Sequence, residues 1–279
     1  MKYFGRTIRH KIIPKLLFTL VGIFAMVALS SQYYLSLNIT IYEYILVVFS
    51  DKFFLSIFLF SNIIVWTSGV FDLSGSKSNQ LMRVQSTNRW YWLCLVVLIT
   101  NCIILVLAIC STLFLSGVWY GFSFSQEWST AARDTVINAV DGLDFRGRAF
   151  ELLTSRNENT IVLLIEAILL IFLRSTFYSL ICSLIYIVSR KPVIAIVVGF
   201  LVNTVDIYYF DLFPPSKMFF LPQQYSVLTS INGATPSAHF YILFWVITIT
   251  GLIIVMNLLY GLSFEKMVLG DSRQKLNKK

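Results

Sequence analysis

Six long apolar stretches decide what this chain can fold into: Ile13 to Leu35, Phe53 to Phe71, Tyr91 to Ser116, Ile161 to Val188, Pro192 to Phe210 and His239 to Leu262. A hydrocarbon core roughly 30 Å thick is crossed by about 20 mostly apolar residues in a helix. Each stretch is therefore expected to be a membrane-spanning helix, because an open strand edge in lipid leaves its backbone groups unpaired. Composition agrees: 57% of the 279 residues are hydrophobic and 13% charged, against roughly 25% charged in a soluble domain. No internal repeat and no linker-rich region divides the chain, so residues 1–279 are expected to form a single membrane domain of the all-α class. The first apolar run is too long for a signal-peptide core and lacks a small-residue cleavage site, which makes it a retained span. A seventh stretch, Ile39 to Phe49, carries Glu43 and runs about a dozen residues. It suits an interfacial or re-entrant helix better than a crossing.

Lysine and arginine set the expected orientation. Lys2, Arg6, Arg9, Lys11 and Lys15 precede the first span, Lys77, Arg83 and Arg89 lie between spans two and three, Arg190 and Lys191 follow span four, and Lys266, Arg273, Lys275, Lys278 and Lys279 close the chain. If six helices alternate, fifteen of the 22 basic residues share one side, and both termini are expected in the cytoplasm. The other side holds acids, among them Glu43, Asp51, Glu127, Asp134 and Asp141, with a second cluster of arginines. Tyr33, Tyr34, Trp90, Trp92, Trp119, Tyr120, Tyr208 and Tyr209 stand at span ends, where amphipathic rings prefer the headgroup level.

The net charge of +8 is thus explained by topology. It does not form the single basic surface with interleaved aromatics that nucleic acid requires. Cys94, Cys102, Cys110 and Cys182 all fall inside apolar runs and read as small buried hydrophobes, without metal-binding spacing. The two histidines, His10 and His239, lie on opposite expected sides, so no pair of them builds a zinc or Ser-His-Asp site. Neither a GxxxxGK[ST] phosphate loop nor a GxGxxG fingerprint occurs. The chain is expected not to be an enzyme and to bind no cofactor or metal of its own.

Several segments remain as candidates for function. Tyr3, Phe4, Ile8, Ile12 and Ile13 alternate with basic residues as in an amphipathic helix at the inner interface, and a plain basic flank fits equally. Asn79 to Asn88 fits a short exposed helix or a solvated loop. The outer segment 117–160 shows helical spacing from Trp128 to Val140 and is expected to fold on the outer face. Asp211 to Ala238, with Pro214, Pro215, Pro222 and Pro236, suits short half-helices dipping into the outer leaflet. Glu166, Arg174 and Asp206 are ionisable residues within spans, each needing a partner. They lie on a substrate path or bond between helices. Glu166 and Arg174, eight residues apart, are about 12 Å apart along one helix and cannot pair.

Gln80 to Leu93, QLMRVQSTNRWYWL, resembles the inner loop of permease subunits of type-2 ABC exporters, especially the small Gram-positive ones that export or resist antimicrobial peptides. Arg83, Ser86, Arg89 and Trp90 match that loop's basic, serine, basic and aromatic positions, while Gln85 and Thr87 depart from often basic ones. Phe122 to Ser129 and Tyr225 to Tyr241 are similar in style to the outer segments. The resemblance implies a bacterial cell-membrane permease with an amphipathic amino-terminal helix, a coupling helix at Asn79–Arg89 and re-entrant helices after span five. It implies a second permease chain, identical or paralogous, and two copies of a separate ATPase that holds ATP and Mg. The expected cargo is a peptide or amphiphile, such as an antimicrobial peptide. The rival expectation is an ATPase-independent immunity or sensor protein capturing a peptide at its outer segments. An intramembrane lipid enzyme would need catalytic groups meeting at one depth, which so few ionisable residues disfavour.

Overall fold

The computed structural model describes residues 13–25, 39–50, 54–67, 70, 87–130, 159–212 and 238–276. Within them the chain is helical, with no strand, and the one β-type contact is an isolated parallel bridge between Thr40 and Ser123. The elements are α1 (Ile13–Ala25), α2 (Ile41–Ser50), a π-helical turn (Phe54–Leu59) continuing into α3 (Phe60–Thr67), α4 (Thr87–Trp119), α5 (Thr160–Ser189), α6 (Pro192–Leu212) and α7 (Ala238–Leu276).

Local chemistry sets the ends. Thr40 and Glu43 form a capping box at the start of α2: the Glu43 N–H donates to Thr40 Oγ1 at 3.2 Å and the Thr40 N–H to Glu43 Oε2 at 2.7 Å. Two of the helix's orphan donors are satisfied reciprocally. At the end of α4, Gly121 takes the left-handed conformation at φ 75. The Phe122 N–H then reaches the Gly117 carbonyl and the Gly121 N–H that of Val118, both at 3.1 Å, a Schellman closure. Asn159 caps α5 by accepting from the Ile161 N–H at 2.9 Å. Arg190 ends it at φ 58, its N–H bonded to the Tyr186 carbonyl at 2.8 Å. Lys191 follows, and Pro192, whose fixed φ suits a first helical position, opens α6.

Helix α5 is the axis of the bundle and packs against α2, α3, α4, α6 and α7. Over its most apolar window 56% is buried, against 39% in α4 and 17% in α7, so α7 flanks the bundle with most of its surface outward. Phe177 of α5 meets Trp245 of α7 edge to face at 5.0 Å, and the Trp245 ring is fully buried. In α1, Thr19 and Ile23 face inward while the apolar Leu17, Val21 and Phe24 are exposed. Gly199 of α6 lets that helix approach α5: a Cβ there would stand 2.6 Å from Cys182 Sγ and 3.1 Å from the Phe60 ring.

Three helices are long and apolar enough to cross a membrane unaided: Asn88–Trp119, Thr160–Ser189 and Ile242–Gly261. A fourth crossing arises if Ile41–Phe49 and Phe54–Thr67, inclined at 70°, form one broken span. Ile13–Ala25 and Pro192–Val205 are apolar but shorter. Of the six expected spans, three, or four with the bent pair, meet that length and apolarity among the described residues. Every expected span coincides with helix, but the first is described only as far as Ala25 and the second begins in a π turn.

Other expectations shift. Helix α2 is buried along Ile41, Tyr44, Ile45, Leu46, Val47, Val48 and Phe49, so other helices rather than solvent surround it. Trp92 and Trp119 are exposed, Trp119 at 87%. Trp90 instead points into the bundle, since two positions on a helix differ by about 200°. Helix α4 begins at Thr87, so Arg89 belongs to the helix rather than to a preceding connection. Helix α7 runs past Leu262 to Leu276. Residues 1–12, 71–86, 131–158 and 213–237 lie outside the described residues, and with them the amphipathic amino-terminal helix, most of Asn79–Asn88 and the segment expected to be re-entrant.

Candidate functional site

Arg174 lies near the middle of α5 and is 0% exposed. A charge inside such a bundle demands partners. Tyr178, one turn on, turns its ring under the guanidinium at 4.9 Å from the centroid, a cation–π contact strengthened by the absence of water. Nη2 donates to Asn203 Oδ1 of α6 at 2.9 Å, and Asn203 Nδ2 donates to the Ser56 carbonyl in the π-helical turn at 3.1 Å. Asn203 is 1% exposed. One polar line therefore joins α5, α6 and the break before α3.

A second cluster closes the other end of α3. The last four carbonyls of a helix have no partner within it. The Trp66 carbonyl accepts from Lys15 Nζ of α1 and from Asn101 Nδ2 of α4, both at 2.9 Å. The ammonium also stands 5.9 Å from the Trp66 ring centroid, and positive charge is favoured at a helix carboxyl end. Thr19 Oγ1 donates to Asn62 Oδ1 at 2.6 Å and accepts from Trp66 Nε1 at 3.0 Å. Lys15, expected as a flanking charge, is thus a packing residue.

The third constellation is at the opposite end of the bundle. Glu43 is fully buried and, besides capping α2, accepts from the Ser129 N–H through Oε1 at 2.6 Å. The Thr160 hydroxyl donates to the Gln126 carbonyl at 2.7 Å, and the Ile41 N–H to that of Ser123 at 2.9 Å. Residues 121–129 form a strap held across the starts of α2 and α5.

Of the residues singled out from the sequence, Glu166 is half-buried on α5, eight residues before Arg174 on the same helix. Asp206 lies three residues beyond Asn203 on α6, its side chain outside the described set. Arg83 and Ser86 are outside the described residues; Arg89 is exposed and Trp90 buried. Arg174, with one guanidinium face over the Tyr178 ring of α5 and Nη2 bonded to Asn203 of α6, presents the arrangement of an interhelix bond. Asn62, Asn101 and Asn203 were not anticipated, yet each is an asparagine inside an apolar run, which is a readable signal. So was the Thr-x-x-Glu pattern at 40–43. Among the described residues no three His, Cys, Asp or Glu side chains converge as metal ligands would. The chemistry of these sites is hydrogen bonding and charge.

Fold and polar interior together define a class: a helical membrane protein whose helices are tied by buried amide, hydroxyl and guanidinium groups. No family model matches the chain, and no curated protein or solved structure matches it either.

Proposed function

We propose that the chain is the transmembrane permease subunit of an ATP-driven exporter of a peptide or amphiphilic compound. It pairs with a second permease chain and is driven by two copies of a separate ATPase. The observation that carries this reading is the seat of Arg89 and its neighbours at the start of α4. Arg89 is exposed, while Trp90 and Tyr91 are buried. The Tyr91 hydroxyl donates to the Ile253 carbonyl of α7 at 2.7 Å, and its ring lies 5.8 Å from that of Tyr260. A soluble partner engaging Arg89 would push on a helix already fastened to α7, which is what coupling requires.

The charge pattern supports the same orientation. Helices α4 and α5 are antiparallel, with Cys102 Sγ and Ser179 Oγ in contact at 3.3 Å and the Gln126–Thr160 bond beyond the other end. Arg89 and Arg190 each lie about a dozen residues from the Cys102–Ser179 contact, in the same direction. That shared basic end is the cytoplasmic one in this reading, with both termini inside. The test is co-purification in mild detergent. Tagged protein brings down an ATPase, and Arg83→Ala with Arg89→Ala abolishes both the capture and export. If no ATPase is captured and the double variant retains function, the chain instead acts alone, as an immunity or sensor protein binding a peptide at its outer segments.

A further inference from the structure

We propose that the π-helical turn Phe54–Leu59 is a register switch in the broken helix, held in its wide form by Asn203 and Arg174. This goes beyond transport and stands whether or not an ATPase drives the chain.

A π turn winds one additional residue into a helix; such turns are rare and occur frequently at functional sites. The segment FLSIFL contains neither glycine nor proline to impose it. Its cause therefore lies in what surrounds it, and three neighbours meet it. Asn203 Nδ2 holds the Ser56 carbonyl, and Arg174 fixes that amide by donating to Oδ1. Gly22 of α1 leaves a notch filled by the Phe58 ring, where a Cβ would stand 2.6 Å from Cε2. Gly199 of α6 leaves a second notch for Phe60, the first residue of α3. Ile57 alone in the turn points outward, 45% exposed.

Tightening the turn to the ordinary α register rotates everything after it by about 100°, the angle of one residue. Asn62 would then leave Thr19, and the Trp66 carbonyl would leave Lys15 and Asn101. The wide turn thus sets how α3 faces α1 and α4. Asn203 and Arg174 are positioning residues, joining the α5–α6 pair to that choice.

The test compares cross-linking of Thr19→Cys with Asn62→Cys, across the switch, with that of native Cys102 and Ser179→Cys, which does not cross it. A short bifunctional thiol reagent is applied to the full chain in detergent, and the products are mapped by mass spectrometry. Asn203→Leu lowers the wide-to-tight ratio about tenfold, the factor that one buried hydrogen bond makes in a two-state equilibrium, and the rate of the 19/62 pair falls with the wide population. The 102/179 pair reacts as before. Deleting Ile57 removes the additional residue, so the 19/62 pair reacts at the parent rate, and Asn203→Leu in that background has no effect. A merely structural role for Asn203 predicts no such rescue. An unchanged 19/62 rate in Asn203→Leu, or a 19/62 pair that still depends on Asn203 after the deletion, overturns the proposal. Should Asn203→Leu also abolish the 102/179 pair, Asn203→Ser decides by the same criteria.

Discussion

Replacing Glu43 by alanine should free the strap at residues 121–129 while leaving the helices in place. The carboxylate accepts from the Thr40 N–H at 2.7 Å and the Ser129 N–H at 2.6 Å. Charge-assisted bonds of this kind contribute roughly 1.5–3 kcal/mol each. The Thr40 bond is local to the cap of α2, which its loss weakens by about 1 kcal/mol. The Ser129 donor is only half-buried and regains water when the strap lifts. Opening therefore becomes easier by about 2 kcal/mol, or about 30-fold at 1.4 kcal/mol per factor of ten. Hydrogen exchange followed by mass spectrometry on the peptide spanning residues 122–130 reads this directly, because exchange tracks the free energy of local opening. Glu43→Gln keeps one carbonyl oxygen and should show only a several-fold rise. Thr160→Val, which removes the neutral bond to the Gln126 carbonyl, should raise exchange about fivefold at roughly 1 kcal/mol. Exchange in Glu43→Ala that matches the parent, with the helical peptides equally protected, would mean that the carboxylate does not hold the strap.

Arg174→Ala should destabilise the protein by about 3–5 kcal/mol, since it leaves a cavity above Tyr178 and strips Asn203 Oδ1 of its donor; Arg174→Lys should fall between, retaining charge without the planar stack, as thermal unfolding in detergent would report. Gly199→Ala should cost about 1–3 kcal/mol by overpacking. Adding Cys182→Ala should recover part of that cost in the same assay, because Cys182 Sγ is the atom nearest the new Cβ. Arg190→Gly should raise the melting temperature by the equivalent of about 1 kcal/mol, as glycine holds the left-handed cap conformation without a Cβ penalty.

The helices of the bundle were legible because lipid allows so few solutions. Tyr91 to Ser116, Ile161 to Val188 and Pro192 to Phe210 are helical with ends displaced by only a few residues, since apolar length and the Arg190-Lys191-Pro192 punctuation mark them. The capping box at Thr40 and the closure at Gly121 were equally readable, because both are local. The π turn was not, as nothing within FLSIFL requires it and its determinants stand on α1, α5 and α6. The same distance in sequence hid the roles of Lys15 and Trp90. A basic residue at a span end looks like a topology mark, and a tryptophan like a headgroup anchor, until the partner helix is in place. Glu43 looked like one more outer acid, although its two backbone donors make it a bonding centre.

The two-residue connection at Arg190 and Lys191 bears on how the molecule is made. Arg174 and Asn203 lie on opposite arms of that hairpin, so the arms bring them together without help from distant parts of the chain. During synthesis the guanidinium can enter the bilayer already bonded to its amide, as one inserted unit. The lipid need never receive that charge unescorted, and lengthening the connection should show first as failed insertion of newly made chains.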